Sequence, residues 1–324
     1  MKYCIGIDIG GTKCSVVLGK MPFSSPETSL IKKIAFETEP FSPNVSLDLM
    51  YRYIDNLFHT VPDLSSDTLS GIGISCGGPL DSKNGVILNP PNLPGWVRVP
   101  IVRLLKERYH CNVVMQNDAN ACAVAEWKFG AGKGYHNIVF LTFGTGMGAG
   151  LILNGKLYCG ANDMAGEIGH ISLCDYGPVG YGKAGSFEGF CSGNGIAQLA
   201  RIRLTEALQT NRLPGWCPKR EMLPNISAKD VADAAEAGDP LAISIYQESG
   251  NALGKGLAIL VDILNPELII LGSIYQRSEH LLFPNTEKML RHMALPCSVS
   301  ACRVCPCALK DSLGDFAALS LVAE

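Results

Sequence analysis

The chain is predicted to be an α/β protein of two lobes, with mixed sheets around a central cleft. Three observations predict this. A strand–strand–strand–helix–strand–helix–strand order is traced roughly twice along the 324 residues, a length that suggests about two domains. Each copy opens on a β-hairpin whose first strand ends in a polar residue and whose turn is rich in glycine. The pattern Asp8-Ile9-Gly10-Gly11-Thr12-Lys13 in the first hairpin is loosely repeated by Thr142-Phe143-Gly144-Thr145-Gly146-Met147-Gly148 in the second, the mark of a weak internal duplication.

The elements follow in order. Tyr3 to Leu18 is two apolar runs around the first glycine pair, and Ser29 to Glu39 supplies a third strand. Leu47, Met50, Tyr51, Ile54, Phe58 and Val61 recur at helical spacing. Short buried strands are expected at Gly71 to Cys76 and at Val113 to Met115, and the second hairpin spans Asn137 to Lys156. Ser227-Ala228-Lys229-Asp230 has the form of a capping box and opens a helix. Pro240 suits the start of a longer helix running to about Leu264, and Leu268 to Leu271 is a buried strand closed by Gly272. The lobes divide as residues 1–120 and 121–311, with a hinge near 118–122 and a C-terminal helix, about 312–324, returning to the first lobe.

Composition narrows the function. Hydrophobic residues make up 47% and charged residues 18%, as in a soluble globular protein. A net charge of −3 gives no electrostatic case for nucleic acid. No apolar run reaches the ~18 residues that cross a bilayer. Asp8 interrupts the one candidate signal-peptide core, so a cytoplasmic protein with reduced thiols among its 13 cysteines is expected.

The chemistry is concentrated in a few short segments. Adjacent glycines such as Gly10 and Gly11 let backbone N–H groups point into one concavity that suits a phosphate. A strand-end carboxylate, Asp8, can hold a hydrated Mg²⁺ beside it. The plainer reading is a hairpin turn in which Asp and Gly serve backbone geometry. Two such turns, each ending a buried strand, could grip one polyphosphate from both lobes. Asp118 follows the strand Val113 to Met115, at the strand end where ligands of open α/β sheets bind; it is equally suited to capping a helix over Ala119 to Phe129. Glu167 and His170 lie among glycines, with Glu188 further on, as polar groups that converge on a sugar would. A lone His or Glu on a loop is more often solvated.

Taken together these residues resemble the repressor, open-reading-frame, kinase (ROK) family of sugar kinases and sugar-responsive regulators. The match also includes Gly77-Gly78-Pro79-Leu80-Asp81, Asn92-Leu93-Pro94-Gly95-Trp96, Asn117-Asp118-Ala119-Asn120-Ala121, Gly166-Glu167-Ile168-Gly169-His170 and Leu313-Gly314-Asp315. The resemblance implies an actin-like ATPase fold of the ribonuclease H-like kind, with ATP and Mg²⁺ between the lobes and a sugar in the cleft. It implies Asp118 as catalytic base. Gly78, Asn92, Asn117, Glu167, His170 and Glu188 fall at its sugar-contacting positions. Gly10, Gly11, Thr12 and Lys13 with Gly144, Thr145 and Gly146 fall in its phosphate loops, with Asp8 toward Mg²⁺ and Gly272 near the adenosine pocket.

One departure from the family is large. Its C-x-C-G-x-x-G-C stretch, which binds a structural zinc together with the histidine, is replaced here by Gly180-Tyr181-Gly182-Lys183-Ala184-Gly185-Ser186-Phe187-Glu188. Gly180, Gly182 and Ser186 stand where thiolates would be, so no structural zinc is expected. Cys297, Cys302, Cys305 and Cys307 lack a paired metal-binding spacing and are expected to be small buried hydrophobes.

The expected activity is ATP-dependent phosphorylation of a hexose or amino-hexose hydroxyl. The alternative is a sugar-binding regulatory protein without turnover. A repressor of the same family needs an N-terminal helix-turn-helix domain, for which a first strand beginning by Tyr3 leaves no room. Sugar and ATP are the expected partners, without nucleic acid or membrane; a homodimer is an analogy with the fold alone.

Overall fold

The computed structural model describes residues 2–23, 29–144 and 146–323. The first sheet begins with β1 (Lys2–Ile9), β2 (Lys13–Met21) and β3 (Leu30–Glu37), followed by helix α1 (Pro43–Thr60) and β4 (Leu69–Cys76). A short ribbon, β5 (Leu80–Asp81) and β6 (Val86–Ile87), precedes α2 (Ile101–Tyr109), β7 (Val113–Asn117) and α3 (Asp118–Phe129). The sheet order is β3-β2-β1-β4-β7. β1 pairs antiparallel with β2 and parallel with β4, and β4 pairs parallel with β7. β1, β2 and β4 are buried along nearly their whole length, the pattern of strands covered on both faces.

The second sheet repeats the plan. β8 (Ile138–Phe143), β9 (Met147–Leu153) and β10 (Lys156–Tyr158) are followed by the two-residue strands β11 (Val179–Gly180) and β12 (Lys183–Ala184). Helices α4 (Phe187–Cys191), α5 (Gly193–Gln209), α6 (Ala228–Glu236) and α7 (Pro240–Leu264) lead to β13 (Leu268–Leu271). Then come α8 (Ile274–Met293), α9 (Pro296–Ala301), β14 (Arg303–Pro306) and the C-terminal helix α10 (Leu313–Ser320). The order β10-β9-β8-β13-β14 is that of the first sheet: third, second, first, fourth, fifth. This mixed, duplicated α/β architecture is the actin-like ATPase fold.

Contacts divide the chain into unit 1, residues 1–140, 150–165 and 308–324, and unit 2, residues 141–149 and 166–307. The boundary thus runs through β8 and β9 and not near residue 120, because α3 stays with the first sheet. Lys128 Nζ donates to the carbonyls of Ser320 and Ala323, the first at 3.0 Å, and Leu309 N–H donates to Glu126 Oε1 at 2.8 Å. Within unit 1, α10 lies flat on β1 and β4. A Cβ on Gly73 would fall 1.9 Å from the Ala318 carbonyl oxygen, so only glycine allows this approach.

Ser227 and Asp230 form the reciprocal capping box at the start of α6. Asn117, not Asp118, caps α3: its side chain accepts the Asn120 N–H at 3.0 Å. All 13 cysteines are free thiols. Cys305 and Cys307 are buried as expected, whereas Cys297 is exposed and Cys302 only half-buried.

Candidate functional site

Unit 1 brings together one set of predicted residues at the carboxyl ends of its parallel strands. Asp8 lies near the end of β1, in register with Ser15 of β2 and Ser75 of β4. Burial is the main reason its carboxyl is pushed up to about 6; the Ser75 hydroxyl works against this, and the negative charges of Asp118 and Asp315 add to it. Asp315 is itself paired with Lys33 at 2.7 Å.

The turn after β1 is closed by a hydrogen bond from Gly10 N–H to the Lys13 carbonyl at 3.0 Å. Thr38, at the end of β3, donates its hydroxyl to the Gly10 carbonyl at 2.7 Å and its N–H to the Thr12 carbonyl at 3.0 Å. Asn92 sits directly on this turn: a Cβ on Gly11 would fall 2.6 Å from the Asn92 Cβ. Thr12, Lys13 and Asn92 are exposed.

Asp118 opens α3 two strands from Asp8, about 10 Å by strand spacing. Its Oδ1 accepts the Ala119 N–H at 2.8 Å, and the side chain is open to water. Desolvation by the protein packed around it still raises its pKa above the ordinary carboxylate value, opposed by that backbone hydrogen bond. Because Asn117 Oδ1 is engaged in the cap, its Nδ2 is the end left toward the glycine pair after β4; a Cβ on Gly78 would lie 3.8 Å from it.

Unit 2 brings together the second set. In the turn after β8, Gly144 N–H donates to the Gly146 carbonyl at 3.0 Å; Thr145 lies outside the described residues. Glu188, on α4, accepts the Met147 N–H at 2.9 Å through Oε2, so this carboxylate braces the glycine turn. The segment bearing Glu167 and His170 runs beside the same turn. Ala149 N–H donates to the Gly166 carbonyl at 2.8 Å, and a Cβ on Gly169 would lie 2.6 Å from the Met147 carbonyl oxygen. Glu167 is exposed and His170 half-buried.

Gly272 is buried at the end of β13, its N–H donating to the Leu141 carbonyl at 2.9 Å. One helix N-terminus meets the glycine turn here, and a second lies against the first. Gly193, first in α5, donates its N–H to the Gly144 carbonyl at 3.0 Å, and a Cβ on it would fall 3.1 Å from Ile274 Cδ1, first in α8. Ser273, which precedes α8, has φ +49° and provides no side-chain cap. The start of α8, which has no side-chain cap, favours an anion. Thr38, Gly193 and Ser273 were missed in the sequence; Ser192-Gly193-Asn194-Gly195 was the available signal.

Each unit, taken by itself, has a feature that suits part of MgATP. A Cβ on Gly144 would meet no atom within 4 Å, which leaves the turn room for phosphate oxygens. Asp8, held near Asp118 and Asp315, lies where a cation would relieve repulsion. Among the described residues no group of three or more His, Cys, Asp or Glu is placed to hold a metal. Among the described residues no helix is long and apolar enough to cross a membrane.

The ROK family profile matches residues 4–324, and the chain belongs to the ROK family. It is 32% identical to a glucokinase of Thermotoga maritima over 99% of this chain and 97% of that one. It is also 27% identical to a xylose repressor of Bacillus spizizenii, over 99% of this chain and 77% of the repressor. Among solved structures, the ROK family glucokinase of Streptomyces griseus in complex with glucose and AMPPNP is 26% identical, with a TM-score of 0.73 over 98% of each chain.

Proposed function

We propose that this chain is a cytoplasmic ATP-dependent sugar kinase that phosphorylates a hexose or amino-hexose hydroxyl, with Asp118 as general base. The observation that carries the reading is Asp118 itself. Helix capping is done by Asn117, so a solvent-open carboxylate with a raised pKa remains at the end of β7. A base tuned upward toward neutral pH is better matched to accepting a hydroxyl proton.

In this reading Gly78, Asn92, Asn117, Glu167, His170 and Glu188 bind the sugar. The turns at Gly10 to Lys13 and Gly144 to Gly146 receive the phosphates, and the segment after Gly272 faces the adenosine. Asp8 would hold Mg²⁺ through water, and the metal would supply charge neutralisation at the transferring phosphoryl group. Aligned amides and a bound hydroxyl lower the barrier by positioning and electrostatics. The similarity to a xylose repressor favours one other reading, a sugar-binding regulator without turnover. Sugar-dependent ADP release from MgATP, measured over glucose, N-acetylglucosamine, N-acetylmannosamine, allose and fructose, separates the two. Release with none of them would leave the regulator.

Glu167 and His170 are expected to set sugar affinity and not ATP affinity. Glu167→Gln should lose about 1–3 kcal/mol of sugar binding with ATP binding nearly unchanged, as read by titration calorimetry. Equal losses for both ligands would make the segment structural.

The protein is expected to purify without stoichiometric zinc, because Gly180, Gly182 and Ser186 offer no thiolate. Elemental analysis of protein prepared without added metal or chelator checks this. About one zinc per chain would contradict it and direct attention to Cys174, Cys191 or the cysteines from 297 to 307.

A further inference from the structure

Gly180 to Lys183 forms a small hairpin, with Val179 paired to Ala184 and Gly180 to Lys183. Its base is anchored on α5: Gln198 accepts the Val179 N–H at 3.0 Å and donates to the Val179 carbonyl at 2.7 Å. Gly180 is packed so closely that a Cβ would lie 2.7 Å from both the Gly189 N and the Ser186 Oγ. The hairpin root is therefore rigid, and its tip meets His170. The Tyr181 ring stands edge-on to the imidazole, centroids 4.9 Å apart at 74°, within the range that aromatic pairs prefer. Lys183 Nζ donates to the His170 carbonyl at 2.7 Å, so ring and backbone of one residue are both held by the same hairpin.

The turn residues are unusual for this geometry. Tyr181 and Gly182 have φ +45° and +78°, both positive, as a type I′ turn requires. Asn-Gly makes that turn with little strain, whereas a bulky residue in the left-handed region is disfavoured. Tyr181 is also 72% exposed, so its ring adds little buried surface to the core. Backbone strain borne by an exposed aromatic residue finds its counterpart in the His170 ring that it touches.

Resting on the kinase reading above, we infer that Tyr181 is a positioning residue: its ring fixes the His170 imidazole for the sugar, and Lys183 fixes the His170 backbone. In this role Tyr181 acts through His170. A packing role alone predicts that relieving the turn is harmless, whereas positioning predicts a loss confined to the sugar.

The test uses Tyr181→Asn and Tyr181→Phe in the full chain. Tyr181→Asn should keep or raise the melting temperature, weaken sugar binding about two- to tenfold, and leave the Michaelis constant for ATP unchanged. Tyr181→Phe, which keeps the ring edge, should bind sugar as the wild type does. Wild-type sugar affinity in Tyr181→Asn, or failure of Tyr181→Phe to rescue, overturns the proposal. A second measurement separates this from failure of the kinase reading. The imidazole Cε1–H resonance of His170, assigned with His170→Gln, should move in Tyr181→Asn and stay in Tyr181→Phe without any ligand. If the wild type binds no sugar, the kinase reading and the sugar role fall together. If that resonance is unmoved in Tyr181→Asn, the positioning contact itself is refuted.

Discussion

Asp118→Asn is expected to lower turnover by about 10²–10⁴-fold, the usual contribution of a general base, while the fold melts near the wild-type temperature. The two expectations separate because the α3 cap belongs to Asn117 Oδ1. The Asp118 carboxylate accepts the N–H of the next residue, with its own backbone N–H also acting on it. Sugar binding should survive, since an amide of the same size remains at the strand end. The pH profile carries the same signature. Desolvation raises the Asp118 pKa, so its basic form is lost as pH falls, beginning above the range of an ordinary carboxylate. The acid limb of kcat/KM should therefore lie above the ordinary carboxylate value of 3.8. Near-normal turnover in a folded Asp118→Asn protein would defeat the mechanism and move the search for the base to Glu167 or His170.

Asp8→Asn is expected to act in opposite directions on activity and stability. Activity should fall by about 10²–10³-fold, the scale for losing one charged group that stabilises a transition state. Stability in buffer free of divalent cations should rise at pH 8. The Asp8 carboxyl is pushed up to about 6 in the folded protein against an ordinary value of 3.8, so folding works against the ionised form. That penalty is fully present above about pH 6 and vanishes below 3.8. The gain in melting temperature should accordingly shrink as pH is lowered through this window. A variant that keeps full activity, or melts lower at pH 8, would show Asp8 to be structural.

Local patterns carried much of this architecture. The glycine pairs after β1 and β8 marked both hairpins, and the apolar spacing from Leu47 marked α1. Ser227 with Asp230 marked a cap that forms as expected. The unit boundary was less visible, because α3 looks amphipathically neutral in sequence and its allegiance is decided by Glu126 and Lys128 reaching residues nearly 200 positions away. The exchange of capping duty between Asn117 and Asp118 rests on one dihedral step, which residue types that cap equally well do not reveal.

Side-chain direction was the other unreadable quantity. Glu188 keeps its place in the proposed sugar set, but that its Oε2 also accepts the Met147 N–H is decided by the approach of α4 to the glycine turn, which no local pattern states. The convergence of the α5 and α8 starts needs Gly193 and Ile274 to meet across 81 residues of chain. Tyr181 gave no warning either, since a tyrosine before glycine does not announce a left-handed turn.

Phosphorus NMR of the purified protein with MgATP and each sugar of the panel tests the central claim most directly. The account predicts, for at least one hexose or amino-hexose, a phosphomonoester resonance that grows as the ATP γ-phosphate declines, and that is nearly absent with Asp118→Asn. Loss of ATP to inorganic phosphate alone, or no loss of ATP with sugars that calorimetry shows to be bound, would contradict it.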